Sequence, residues 1–497
     1  MSRSHLLPTS LVALVAAAAA GMFVAPAMAA DDVLVFGTTE VPSGSWDPQQ
    51  NFGTVPIQVN SLVFGNLIQF NAEGELVPDL ATEWVRIDDN TLEVTLREGV
   101  TFHDGSTFDA GDVRATIERV ANDANIAHNI FWTPAKVEVL EPHKVRIVTD
   151  APFAPLERVL AVTNIISEEQ AADPEALRVH PIGTGYFKFD SYTDSVVRLT
   201  AFNEYWNGPP GVSGVDFRVL ADRNAMMAGL AAGELDITYR LSPADLDVIG
   251  STEGISVTSF HALDNVWFGF DTTANAVSDP RVRRAIAHAI NRPGIIELFG
   301  GYAKLPDSPL PIGAPGYEPL TPYDYNPELA RQLLAEAGIT DLTLRYPSSS
   351  GVWPFQQQVD QIIVSSLEAV GIKVEVERLD TATFFSTYPT YDIFVQSWYM
   401  LTGDPDFSFS IYGGSLGAAI FKWQDEGFAE RFAKQRSNMD PVGRQADINE
   451  LSKYVWGELP LLPLHNLQWI VAYSDDVVGY THGPTFAELL HGVTLKR

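Results

Sequence analysis

A helix that ends on a glycine and turns straight into a strand limits this chain more than any other stretch. From Phe355 through Val359, Ile362, Ile363 and Val370, apolar side chains recur at helical spacing, and Gly371 stops the run. The segment "IKVEVERL" follows at once, with Ile372, Val374 and Val376 alternating with charges. Helix, glycine, strand is the return leg of a βαβ unit, so this half of the chain reads as α/β. Two neighbouring helices fit the same scheme. In "SDPRVRRAIAHAIN", Asp279 is the expected N-cap, Pro280 opens the helix, and Val282, Ala285, Ile286, Ala289 and Ile290 form one apolar stripe, with Arg281, Arg283 and Arg284 mostly off it. In "NPELARQLLAEAG", Asn326 caps, Pro327 opens, Ala330, Leu333, Leu334 and Ala337 face inward, and Gly338 closes.

The first half mixes strands and helices. Leu92, Val94 and Leu96 alternate with Glu93, Thr95 and Arg97, the period of a half-buried strand. "KVEVLEPHKVRIV" repeats the pattern on both sides of Glu141-Pro142-His143 and predicts a hairpin. Between them, Asp109 is placed to cap a helix carrying Val113, Ile117 and Val120 on one face. No internal repeat runs through the chain.

The N-terminal residues predict the compartment. Arg3, an alanine-rich apolar run from Leu11 to Val24, Pro26, the small residues Ala27 to Ala30 and then Asp31-Asp32 have the order of a secretory signal peptide over residues 1 to 30. An uncleaved membrane anchor is the rival, weakened by how little hydrophobicity alanine contributes and by the proline. The chain has no cysteine, which excludes disulfides and the lipid anchor that needs a cysteine after the signal, so a protein free in the periplasm of a Gram-negative cell is expected. Roughly 470 residues then remain, too many for one core and suited to two or three lobes. The net charge of −31 disfavours nucleic acid and anionic membranes as partners and is read first as a solvated acidic surface.

Several segments together resemble one family: "LATEWVRIDDNTLEVTLREGVTFHDGSTFDAGDVRATIERV", "PIGTGYFKF", "NEYWNGPPGVSGVDFRVL", "LAAGELDI", "FGFDTTANAVSDPRVRRAIAHAINRPGII" and "YDYNPELARQLLAEAG". They are similar to the extracellular solute-binding proteins of family 5, receptors of peptide, nickel and related ABC importers. The likeness runs from about residue 33 to the C-terminus. It implies a Venus flytrap of two α/β lobes joined by hinge strands: residues 31–265 in lobe one, with an extra subdomain at about 70–185; 266–474 in lobe two; and 475–497 returning to lobe one. It implies capture of a solute by hinge closure, presentation to a permease with its ATPase subunits, a monomer, and no cofactor.

One stretch carries the spacing of a hydrolase nucleophile. "YGGSLGAA" fits G-x-S-x-G with Ser415 as nucleophile, and Asp447 and His465 follow in the chain order of an α/β-hydrolase. A nucleophile elbow needs an apolar strand before the serine and a long helix after it; "DFSFSIY" is polar-interrupted and the following helix short. The histidines are scattered singly, without HExxH, so no metal site is expected and His103 reads as a turn residue. "PIGTGYF" lacks the third glycine of a dinucleotide loop, so Gly183 and Gly185 read as turn formers.

"QSWYMLTGDPDF", residues 396–407, bears most directly on the ligand. In peptide-binding members of the family this segment has the form W-x-x-D-x-x-D-P-D, and the first Asp holds the peptide ammonium. Here Trp398 matches the Trp and Asp404-Pro405-Asp406 the last triplet, but position 401 is Leu. Either another acid such as Asp404 replaces the clamp and the ligand is peptide-like, or the ligand has no ammonium there, as for oligosaccharides, opine-like conjugates or metal chelates. Asp406 reads as a cap and Asp404 stays open. The resemblance puts Trp46, Trp267, Trp353 and Trp398 in cleft-lining segments, with Tyr399 beside Trp398, where flat faces stack on sugars or peptide side chains alike.

Overall fold

The strand Val33–Thr38, almost wholly buried, lies parallel to Gly214–Val219 and Ile237–Leu241, as apolar strands covered on both faces do. The computed structural model describes residues 32–497 apart from 41–43, 350–352, 482, 484 and 486, so the leader expected over 1–30 lies outside the described residues. Among the described residues no helix is long and apolar enough to cross a membrane.

One sheet path runs Ile393–Tyr399, Asp264–Phe270, Leu461–Ser474, Ile237–Leu241, Val33–Thr38, Gly214–Val219, Val196–Ala201, Phe187–Thr193. Leu461–Ser474 joins its two ends. Its last residues pair with Ile237–Leu241 and Ile255–His261, and its first residues with Asp264–Phe270. A strand fourteen residues long that pairs in both halves is the connection about which they can hinge. The mixed α/β architecture has two lobes on this strand.

The βαβ unit forms as the sequence predicts. Leu342–Ser349 and Ile372–Leu379 pair in parallel through the helix Gln356–Ala369, and Gly371 takes φ +89°, a left-handed conformation that glycine adopts without Cβ strain. Asp279 accepts from the Arg281 N–H and Asn326 from the Leu329 N–H, each capping a helix with proline at its first position. Arg283 departs from the sequence reading. It is 2% exposed, and its guanidinium donates to the carbonyls of Val277, Ser278, Glu458 and Leu459. Five rigid donors can satisfy a helix end from inside, which apolar periodicity does not register.

Residues 81–149 form a four-stranded antiparallel sheet, Ala81–Asp88, Thr91–Leu96, Lys144–Thr149, Ala135–Glu141, with the helix Ala110–Asn122 packed beside it. The hairpin closes at Glu141 opposite Lys144, and Asp109 and Asp112 form a reciprocal capping box. Gly183 and Gly185 serve close approach: a Cβ on Gly183 would lie 2.0 Å from the Val63 carbonyl oxygen, and one on Gly185 would lie 2.3 Å from that of Leu62. His103 locks this corner. Its Nε2 donates to the Gly185 carbonyl at 2.9 Å, its Nδ1 accepts from the Gly183 N–H, and burial lowers its pKa to about 4. Near the C-terminus Val477–Val478 pairs with Thr494–Leu495, and the Gly211 N–H donates to the His491 carbonyl at 3.3 Å.

Candidate functional site

The two lobes meet along a seam held by few polar contacts. The Tyr399 hydroxyl donates to the Phe52 carbonyl at 2.7 Å, and the Ala154 N–H donates to the Arg436 carbonyl at 2.9 Å. The Trp398 ring stands edge-on to Phe52 with centroids 5.3 Å apart. Behind this seam lies a cavity of about 80 Å³. Its walls come from the helix Thr54–Val63, the turn after it, Tyr186, Tyr205 and the returning segment near Glu488, and Leu401 reaches in from the second lobe. Leu401 is the position where peptide-binding members carry the ammonium clamp. It is apolar and 4% exposed here.

Two acids line that cavity. Asp79 accepts from the Asn66 N–H at 2.8 Å, and burial lifts its carboxyl to about 7 despite that bond and nearby Arg97. Glu488 accepts from Gln58 Nε2 at 2.6 Å, and burial lifts it also to about 7. Asn60 Oδ1, buried on the same wall, has no partner among the described residues.

A second, small cavity of about 20 Å³ lies where the hinge strands cross and is lined by Arg240, Asp264, Trp353, Pro354 and Trp469 among others. A third, also about 20 Å³, adjoins both neighbours, since Glu488 lines it with the first cavity and Trp469 with the second. Tyr239 and Trp469 form a parallel pair here, with centroids 6.3 Å apart and planes 4° apart. Asp264 is buried, and burial lifts its carboxyl to about 6, against the pull of the Trp469 indole N–H and of Arg240. The three small spaces adjoin through these shared residues as a narrow channel along the hinge, to which the second lobe supplies Leu401 and Trp353.

The residues singled out from the sequence divide between this seam and the lobe interiors. Trp398 and Tyr399 stand on the seam, and Trp353 lines the hinge cavity while donating from Nε1 to Ser397 at 2.9 Å. Trp46 is fully buried against Phe189 and Tyr192, and Trp267 against Phe394 and Phe421. Both are core residues, because their ring faces are already covered by side chains of their own lobe, and neither lines the cavities described here.

The acidic pair after Trp398 also takes other work. Asp404, not Asp406, caps the helix Pro405–Gly413, and its two oxygens accept from Arg444 at 2.9 and 2.6 Å. Asp406 in the first turn pairs with Arg436 at 2.9 Å and accepts from Gln435. Asp404 is 4% exposed with both oxygens on the Arg444 guanidinium, and it lines none of the cavities described here.

The hydrolase constellation is not assembled. Ser415 follows a helix instead of the strand a nucleophile elbow needs. Asp447 is engaged by Lys434 and Asn438, and His465 is buried against Phe299 with its pKa lowered to about 3 by burial. Arg240, Asp264, Trp469 and Glu488 escaped the sequence reading. The one available signal was an Asp opening the otherwise apolar strand "DNVWFGF", where a buried charge needs a reason.

Comparison with known proteins agrees with this geometry. Residues 75–419 match the profile of bacterial extracellular solute-binding proteins, family 5 middle region. The chain is 28% identical over 494 residues to Di/tripeptide-binding protein 2 of Pseudomonas aeruginosa, with 90% of this chain and 92% of that protein covered. It is 26% identical over 482 residues to the glutathione-binding protein GsiB of Shigella flexneri, covering 91% and 92%. The fold is that of the dipeptide-binding protein from Pseudoalteromonas sp. SM9913 solved with Met-Leu: TM-score 0.86 at 24% identity, covering 93% of this chain and 100% of that one. With the profile matching well over half of its length, the chain belongs to the bacterial extracellular solute-binding proteins of family 5.

Proposed function

We propose that the protein is the periplasmic receptor of an ABC importer, closing its two lobes around a small peptide-like solute and handing it to a membrane permease and its ATPase subunits. The observation that carries this reading is the channel against the hinge, enclosed by side chains of both lobes and by the strand Leu461–Ser474 that joins them. Such a space admits a ligand when the lobes part and buries it when they meet. The similar proteins named for di/tripeptides and for glutathione support a peptide-like cargo. Leu401 supports the second reading, a ligand with no ammonium at that point. Trp398, Tyr399 and Trp353 are the seam and cavity residues we assign to ligand enclosure.

We read the role as binding without turnover, since Ser415 follows a helix, Asp447 is held by Lys434 and Asn438, and His465 packs on Phe299. The mature chain is read as cleaved and free of a cysteine-linked lipid, given the small-residue site before Asp31 and a sequence without cysteine. Thermal unfolding with and without concentrated periplasmic solutes tests the receptor role. A ligand at a hundred times its Kd adds about 2.7 kcal/mol and raises Tm in a dose-dependent way. A melting curve that no solute fraction moves counts against it, and so does solute turnover that Ser415→Ala abolishes.

A further inference from the structure

Arg240 sits in the hinge strand Ile237–Leu241 with φ +59°, a left-handed conformation costly for a residue with a side chain. The pairing of that strand with Leu461–Ser474 slips between Thr238 and Leu241, so the bulge re-aims the side chain. The guanidinium then lies over the Trp469 ring, 4.6 Å from its centroid, and lines the hinge cavity. No acid pairs with it within 4 Å among the described residues. Glu40, whose charge also reaches neighbouring Tyr239, accepts from the Val55 N–H. An Arg on an aromatic face, beside a cavity and without a carboxylate, is a donor fork awaiting an anion.

Asp264 lines the same cavity at 5% exposure. Its Oδ2 accepts from Trp469 Nε1 at 3.2 Å, while its Oδ1 has no partner among the described residues. Cation and anion thus both contact one indole. That short span suits a group whose ammonium and carboxylate share a carbon better than the termini of a dipeptide, which stand farther apart by up to about 3.6 Å.

Resting on the receptor reading above, we propose that Arg240 and Asp264 together bind an α-amino-acid head group, Arg240 taking its carboxylate and Asp264 its ammonium. The hinge pair then supplies what Leu401 does not, and the cargo is a free amino acid or a conjugate with an intact α-amino-acid end.

Titration calorimetry on the full mature protein tests this with three probes: glutathione, whose γ-glutamyl end carries such a head; the same tripeptide with γ-aminobutyrate in that place, lacking the α-carboxylate; and Met-Leu, whose charges are separated. The expected result is tighter binding of glutathione than of either other probe, by tenfold or more. Arg240→Gln should lose at least tenfold for glutathione and nothing for the probe lacking the carboxylate. Asp264→Asn should lose tenfold for glutathione. If Asp264→Asn does not fold, the probe comparison on the unaltered chain and on Arg240→Gln still decides. Glutathione binding that Arg240→Gln leaves within twofold, or equal losses on both probes, overturns the inference and leaves the receptor reading standing. Failure of all three probes to bind also overturns it, while the receptor reading is judged separately by stabilisation with periplasmic solutes.

Discussion

Glu488 shows how a single buried side chain ties stability to pH. Its carboxyl rises from 4.5 to about 7 because burial penalises the charged form. Between those values the folded chain holds a proton that the unfolded chain has released, so native stability falls as pH rises through the window and is regained as pH falls. Glu488→Gln removes that cost. The variant should gain up to about 3 kcal/mol over the unaltered protein at pH 8 and little at pH 4.5, measured by urea unfolding at both. His128, lowered to about 4 by burial, works in the opposite sense, since protonation of the unfolded chain below 6.5 drains stability. The difference between variant and parent isolates the glutamate. At the seam, Trp398→Ala should weaken solute binding by about 1–3 kcal/mol, mostly through faster release, because the ring packs edge-on to Phe52 across the two lobes. Unchanged affinity and off-rate by stopped-flow fluorescence would remove Trp398 from the closing surface. At this scale the sequence was least legible. "WYMLTGDPD" stands out in the sequence, but nothing in it tells that Arg444 and Arg436, some forty and thirty residues on, pair with Asp404 and Asp406.

Those two ion pairs fasten the helix Pro405–Gly413 to the pair of helices Glu426–Ser437 and Pro441–Glu458. Removing one partner of a buried pair leaves a charge without compensation, so Arg444→Ala should cost about 3–5 kcal/mol of stability in urea titration. A loss below 1 kcal/mol would mean that Asp404 is not held as described. Gly183 carries the matching steric prediction. Its Cβ would meet the Val63 carbonyl oxygen at 2.0 Å, and Gly183→Ala should destabilise by about 3 kcal/mol, read from the same titration. Elements were the most legible scale. Asp109, Asp279, Asn326 and Gly371 mark helix boundaries through local hydrogen bonds and backbone freedom, which the chain encodes within four residues. The helix Pro405–Gly413 shows the limit. "PDFSFSIYG" is buried almost all round, so no amphipathic period announces it, and its phenylalanines read equally well as a strand.

Across the whole molecule, one strand couples both lobes. Leu461–Ser474 pairs on either side of the seam, and the hinge cavity sits where it crosses Asp264–Phe270 and Ile237–Leu241. Ligand charge and hinge geometry are therefore neighbours, which is how occupancy can be converted into closure. The two-lobe α/β architecture was legible through resemblance spread over many segments. The channel was not, because its walls join residues 58, 79, 240, 264, 401, 469 and 488, whose proximity exists only after both lobes fold. The central claim is that this channel encloses one small solute. Mass spectrometry of the protein taken from its own periplasm without refolding, under native conditions and again after denaturation, tests that most directly. The account predicts a one-to-one adduct whose mass is released on unfolding and returns when the solute is added back. A chain that is bare under native conditions, and that no periplasmic solute rebinds or stabilises, would contradict it.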